Sequence, residues 1–360
     1  MIVASGPGAT VISLNDYQVS AVAGRRARQR VDDMRQHPST LSQRNDGGPT
    51  GEDIVAVVRD IDGPRNGVAT RKARKAPEQL NELARRVAAV AEFVRRRLTG
   101  DYSVDEFGFD PHFNNAIMMP LLRTMFTAWF RVDVTGVENL PDTGAALVVA
   151  NHAGVLPFDG LMASVAVHDK HPAHRSLRLL APDIVFDSPI LGQAARKAGH
   201  TMACTADAHH LLSKGELTAV FPEGYKGLGK RFKDRYKLQR FGRGGFVSAA
   251  LRTKAPIIPC AIVGSEEIYP MIGDLKLLAR LLGLPYFPIT PLFPLAGPVG
   301  LIPLPSKWHI EFGEPIPTTG YDYSAREDPM LTFELSDHLR ETMQRMIYRR
   351  LIGRRNTFLG

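Results

Sequence analysis

The sequence predicts an α/β domain with a mostly parallel central sheet flanked by helices, preceded by a loosely structured N-terminal extension. Three observations predict this. Short β-rich runs at 145–150, 177–181, 217–221, 257–263 and 308–312 alternate with helical stretches. The chain of 360 residues is long enough for one large α/β domain with appendages, and its hydrophobic content of 44% is that of a globular protein. Residues 1–77, by contrast, are rich in Arg, Gly, Asp, Ser and Pro with little sustained periodicity, a composition that buries too little apolar surface to offset the entropy of ordering.

Three segments follow from these patterns: the extension at 1–77, an amphipathic helix with its connecting segment at 78–114, and the main domain at 115–360. In the second, EQLNELARRVAAVAEFVRRRL sets Leu80, Leu83, Val87, Val90 and Val94 near one helical face. The arginine-rich opposite face is expected in water, with anionic lipid as the alternative. DYSVDEFGFDPHF interrupts the pattern. NNAIMMPLLRTMFTAWFRV, residues 114–132, then reads as a strongly apolar helix whose central Arg123 suits a membrane surface better than a crossing. Residues 281–306 carry no charge and are long enough to span a bilayer, yet Pro285, Pro288, Pro291, Pro294, Pro298, Pro303 and Pro305 would leave backbone carbonyls unpaired in hydrocarbon. This segment is expected to pack on the domain or dip into a membrane interface. Residues 331–351 read as a helix with a basic end, and no internal repeat is present.

Lys and Arg outnumber Asp and Glu by 45 to 37, a net charge of +8 that favours anionic lipid headgroups, coenzyme phosphates or nucleic acid. The two cysteines, Cys204 and Cys260, lie far apart without metal-ligand spacing, so neither a disulfide framework nor a zinc site is expected and a reducing cytoplasm fits. MIVASGPGATVISLNDYQ lacks the basic start and continuous apolar core of a secretory signal, so export is not expected.

The most informative junction is ALVVANHAGVLPFDG. A buried-strand run ends at Asn151 and His152, and Asp159 follows seven residues after the histidine. In open α/β sheets ligands gather beyond the carboxyl ends of strands, and a His–Asp pair there can form a base with an orienting acid behind it. Taken alone, a helix-capping or loop-packed histidine explains the junction as well. A second β-run, LTAVF, ends in Pro222, Glu223 and Gly224, followed by the basic stretch Lys226, Lys230, Arg231, Lys233, Arg235, Lys237 and Arg240. A third lies within APIIPCAIVGSEE after FGRGGFVSAALRT.

In these blocks the sequence resembles the lysophospholipid acyltransferase superfamily, and within it the monoacylglycerol-acyltransferase-like branch. NHAGVLPFDG, FPEG at 221–224 and APIIP at 255–259 stand in the superfamily's order within residues 118–313. The resemblance implies a fold like that of glycerol-3-phosphate acyltransferase and a general-base mechanism, with His152 deprotonating the acceptor hydroxyl and Asp159 holding the imidazole. It implies that Glu223 and Gly224 help bind the acceptor, and that Pro259 shapes a pocket. Lys226, Lys230 and Arg231 are expected to meet coenzyme or headgroup phosphates, with a solvated basic loop as the alternative. The donor is expected to be acyl-CoA or an acyl carrier protein thioester, the acceptor a glycerolipid or lysophospholipid, and the working place the cytoplasmic side of a membrane, peripherally bound. No cofactor, metal or nucleic acid is implied. Two departures stand out: most of the superfamily separates the histidine and aspartate by four residues where six stand here, and Tyr225-Lys226 replace the usual Thr-Arg after FPEG. A lysine lacks the guanidinium's two-pronged grip on phosphate, so a neutral glyceride or a lysophospholipid suits at least as well as a phosphorylated glycerol.

Other readings are weaker. GYKGLGKR at 224–231 approaches a nucleotide-binding P-loop, but Arg231 stands where a magnesium-ligating hydroxyl is needed. No G-x-S-x-G elbow is present. His168, Asp169, His171 and His174 form a cluster that Pro172 breaks, as expected of a connecting loop. A nonenzymatic basic membrane-binding protein remains the alternative class.

Overall fold

The computed structural model describes residues 84–85, 87–242, 244–321, 328–354 and 356–357. The expected extension at 1–77, together with Leu80 and Leu83, lies outside the described residues.

Helix α1 covers residues 87–99. Its polar side ties it down: Arg97 pairs with the buried Asp110 and stacks over Tyr102 at 3.7 Å. The apolar stripe of Val87, Val90, Val94 and Leu98 stands exposed instead. Arg97 thus departs from the solvated arginine face the sequence suggested, because Asp110 offers it a partner. Asp110 also accepts from Phe113 N–H and so caps helix α2, which starts at Pro111 and passes through π-helical segments at Asn114–Met118 and Met125–Trp129.

The main domain then alternates strand and helix: β1 (Asp133–Thr135), β2 (Ala146–Ala150), α3 (Phe158–Lys170), β3 (Leu177–Ala181), α4 (Asp183–Asp187), α5 (Pro189–Lys197), β4 (Thr201–Met202), α6 (Thr205–Ser213), β5 (Leu217–Val220), α7 (Tyr225–Leu228), α8 (Gly245–Thr253) and β6 (Ile257–Val263). A two-stranded hairpin, β7 (Gly273–Asp274) and β8 (Pro288–Ile289), flanks α9 (Lys276–Leu281) before β9 (His309–Phe312) and the long α10 (Pro329–Gly353). The sheet order is β1-β9-β6-β2-β5-β3-β4. Five strands run parallel, and β9, paired antiparallel to β6 and parallel to β1, reverses one edge. The mostly parallel sheet expected from the alternation is thus present.

Residues of β2 alternate between two cores, as the two-residue period of a strand requires. Ala146, Val148 and Ala150 face α2 and α3, where Phe130 stacks on the fully buried Trp308 at 4.5 Å. Leu147 and Val149 face α6, α8 and α10 through Leu211, Val247 and Met343. With both faces covered, the strands read as continuous apolar runs, and functional side chains are left to the carboxyl edge. The uncharged segment after α9 lies on the surface with Leu281, Leu295, Val299 and Ile302 exposed. Among the described residues no helix is long and apolar enough to cross a membrane.

Candidate active site

Asn151, the first residue beyond β2, locks that strand's end to β6: its amide donates to Ile262 O at 2.9 Å and accepts from Ile262 N–H at 2.7 Å. The side chain extends the ladder by one peptide-like unit and presents His152 just past the sheet edge. The six residues between His152 and Asp159 form a curl in which Gly154 (φ 92°) and Val155 (φ 60°) are left-handed. A β-branched residue rarely adopts that conformation. Val155 is held in it by its N–H donating to Leu228 O at 3.2 Å and by the Tyr286 hydroxyl donating to its carbonyl.

The curl returns Asp159, in the first turn of α3, to the histidine. Oδ2 lies 2.8 Å from His152 Nδ1 and also accepts from Ala153 N–H at 2.8 Å, while Oδ1 accepts from Gly160 N–H at 2.8 Å. An ionised carboxylate only accepts, so Nδ1 carries the proton and Nε2 is left as the acceptor. Among the described residues Nε2 has no hydrogen-bond partner. Residue 152 is 7% exposed, with the Phe221 ring 4.6 Å from the imidazole. A cavity of about 10 Å³, the size of one water, lies under the curl beside Ala153, Gly154 and Lys230.

Glu223 sits directly behind this pair. Its Oε1 accepts the His152 backbone N–H at 2.9 Å, and its Oε2 accepts Gln239 N–H at 2.6 Å and lies 3.4 Å from Lys230 Nζ. Lys230 also pairs with Glu266 at 3.1 Å, and Glu266 accepts from Tyr236 N–H. Burial opposes the Lys230 charge, but Glu266 and Glu223 outweigh it and hold the pKa above the usual lysine value. Burial pushes the Glu266 carboxyl up to about 7 against the opposing pull of Lys230.

The expected site residues therefore divide. His152, Asp159 and Glu223 converge. Gly224, with φ 54° and ψ −142°, makes a turn that glycine alone adopts readily and starts α7. Lys226 and Arg231 are exposed and make no ion pair among the described residues. Lys230 does not join them: it is buried between two carboxylates rather than presented to a ligand. Pro259 lies fully buried in β6, packed against Gly313. His168 and Asp169 engage Arg123, and no metal-binding group of ligands occurs among the described residues.

Sequence reasoning missed Asn151 as a strand lock, Glu266 as the second carboxylate on Lys230, and Tyr286 as the clamp on Val155. It also missed Gly227, where an added Cβ would stand 2.5 Å from His152 O and 2.8 Å from Glu223 Cβ. Its spacing within GYKGLGKR reads as a phosphate loop, whereas its place shows close packing beneath the histidine. Leu156 in the curl and Tyr225 at the start of α7 are exposed, and Tyr225 neighbours α4, whose Asp183 and Asp187 add to burial in raising its phenol pKa.

The family model described as Acyltransferase matches residues 131–263. The uncharacterized protein Rv0502 of Mycobacterium tuberculosis is 69% identical over 360 residues, 99% of each chain. ML2427 of Mycobacterium leprae is 66% identical over 354 residues, 98% of this chain and 96% of its own. A human protein described as a DGAT1/2-independent enzyme synthesizing storage lipids is 26% identical over 226 residues, 61% of each chain. The crystal structure of the 1-acyl-sn-glycerophosphate acyltransferase PlsC from Thermotoga maritima aligns with a TM-score of 0.45 at 20% identity, over 67% of this chain and 80% of that one.

Proposed function

We propose that this chain, whose residues 131–263 match the Acyltransferase family model, moves a fatty acyl group from acyl-CoA to a hydroxyl of a glycerolipid or lysophospholipid, with His152 as general base. The observation that carries this reading is the 2.8 Å contact of His152 Nδ1 with Asp159, which leaves Nε2 as a proton acceptor at the strand edge. The acceptor oxygen attacks the thioester carbonyl carbon as its proton passes to Nε2. The tetrahedral intermediate then expels the coenzyme thiolate, which takes that proton from the imidazolium, giving an ester and a free thiol. Asp159 fixes the tautomer and balances the imidazolium charge, and such base assistance is worth about 10²–10⁴-fold.

Lys226 and Arg231 are exposed cations in the run after Glu223 and suit an anionic headgroup or coenzyme phosphate. The human relative, an enzyme described as synthesizing storage lipids, favours a neutral glyceride acceptor, in keeping with the missing Arg after FPEG. The exposed leucines of the uncharged segment and the bare stripe of α1 support a peripheral place on a membrane surface, and the cytoplasmic side is part of the proposal. The test incubates purified protein with labelled acyl-CoA, or with acyl carrier protein thioester, and a panel of glycerides, lysophospholipids and glycerol-3-phosphate, reading products by mass spectrometry. A new acyl ester with the parent and none above background with His152→Ala is expected. Equal product from both proteins would refute the base.

A further inference from the structure

Glu223 fixes the backbone of the reacting histidine, and the loop at 236–239 in turn fixes Glu223: Gln239 N–H donates to its Oε2 at 2.6 Å while its Oε1 takes the His152 N–H. What holds this loop lies outside the site. Gln344, half-buried on α10, meets the loop with both ends of its amide: Oε1 accepts Leu238 N–H at 2.9 Å and Nε2 donates to Tyr236 O at 2.7 Å. The side chain thus serves as one more peptide unit, as Asn151 does against Ile262 at the end of β2. Leu238 N–H and Gln239 N–H are consecutive amides. The first is held by Gln344 and the second holds Glu223, so a shift of one moves the other.

Tyr236 shows that the loop needs holding. Its φ of 64° is left-handed, a conformation that a bulky residue keeps only where its surroundings over-determine it. Three contacts do so: its N–H donates to Glu266, its carbonyl accepts from Gln344, and its hydroxyl donates to Glu267. Glu267 is paired in turn with Arg354, the residue after α10, whose guanidinium also donates to Lys307 O at 2.6 Å. The C-terminal helix and its end therefore grip the loop twice, directly through Gln344 and through Glu267. Gln344 itself makes no hydrogen bond to the imidazole or to Asp159. We infer that Gln344 is a positioning residue for His152, acting through the 236–239 loop and Glu223, so that the C-terminal helix sets where the base stands. This rests on His152 as the base of the proposed function.

The test is amide hydrogen exchange of the full chain at single-residue resolution, read beside acyl-transfer kinetics. Gln344→Met keeps the length of the side chain and removes both hydrogen bonds, a loss that amounts to about tenfold in a local equilibrium. Exchange at the Gln239 and His152 amides should quicken about tenfold while exchange in β3 stays as in the parent. kcat should fall by about the same factor, with KM for donor and acceptor unchanged. Gln344→Glu keeps an acceptor for Leu238 N–H and should show a smaller change in each quantity; it carries the test if the Met variant does not fold. Parental exchange at His152 in both variants would overturn the inference whatever the kinetics. Exchange that quickens equally in β3 would overturn it too, as the mark of a helix that only stabilises the fold. Where acyl transfer is found, a parental kcat, or a raised KM at constant kcat, would have the same force. Locally quickened exchange at His152 in a protein that transfers no acyl group to any acceptor would uphold the coupling and refute the proposed function.

Discussion

Asp159 is the residue whose replacement separates orientation from packing. Its two oxygens serve three donors, His152 Nδ1–H and the N–H groups of Ala153 and Gly160, all at 2.8 Å and all buried. Asp159→Ala strands the three together. Each unsatisfied buried donor costs about 1–3 kcal/mol, so about 3 kcal/mol or more of stability is expected to go, along with the orienting acid. Asp159→Asn is more selective. With its oxygen toward His152 and Ala153, its amide nitrogen opposes Gly160 N–H, a loss of about 1–3 kcal/mol that leaves the His152 tautomer correct. With the amide reversed, the histidine must turn Nδ1 into an acceptor and lose Nε2 as the base. The first arrangement satisfies two of three donors and is expected to dominate. Acyl transfer by Asp159→Asn should therefore fall less than by Asp159→Ala, whose loss should approach the roughly 10²–10⁴-fold of a missing base. Initial rates with labelled acyl-CoA, paired with urea unfolding of each variant, check both quantities. An Asp159→Ala protein that keeps parental rate and parental stability would refute the reasoning.

Further outcomes follow from the same contacts. Gly227→Ala inserts a methyl 2.5 Å from His152 O; overpacking of this kind costs about 1–3 kcal/mol, and kcat should drop with the fold retained by circular dichroism, whereas an unchanged kcat would contradict the packing. Glu223→Gln turns an amide toward Gln239 N–H and Lys230, so kcat should fall while KM for the acceptor stays; a raised acceptor KM at constant kcat would instead make Glu223 an acceptor ligand. The folded protein holds the Glu266 proton up to about pH 7, while an unfolded glutamate releases it near 4.5. The stability this group contributes is thus complete below pH 4.5 and lost as pH rises through about 7. Glu266→Gln should remove that loss, so parent and variant curves of unfolding free energy that stay parallel across this window would argue against the shifted carboxyl. Replacing Leu281 and Leu295 by Glu should lower partitioning onto anionic liposomes by about tenfold each at an unchanged Tm, and unaltered partitioning would remove the uncharged segment from the membrane contact.

The strands buried on both faces were the most legible part of the fold. The runs at 177–181 and 257–263 coincide with β3 and β6, and β2 starts one residue after its apolar run. Burial on both sides leaves no polar alternation to blur the edges. β1, β4, β7 and β8 are only two or three residues long, too short for any period to register. The reversal of β9 was equally hidden, because a strand's apolar pattern reads the same in either direction. In the site, the pairing of His152 with Asp159 could be named from sequence, but the left-handed Val155 that permits it could not. The basic run at 226–240 was read as one patch, yet position within the fold divides it: Lys226 and Arg231 face outward while Lys230 turns under the loop between Glu223 and Glu266. A lysine's long stem allows either placement, and only the carboxylates across the chain decide between them.

Glu223 changes how the FPEG block is understood. Both of its oxygens are already taken by backbone and lysine partners, and its side chain is fully buried. It ties the turn after β5 to the turn after β2, so that His152 is fixed relative to the FPEG block. On the reading proposed above, a base fixed this way works at 7% exposure on a substrate that arrives from lipid. On the same reading, Phe221 against the imidazole keeps bulk water from the thioester. Water is the competing nucleophile for any activated acyl group. On that reading, a nearly buried imidazole beside Phe221 favours transfer to a lipid hydroxyl over hydrolysis, which a widely open histidine would not.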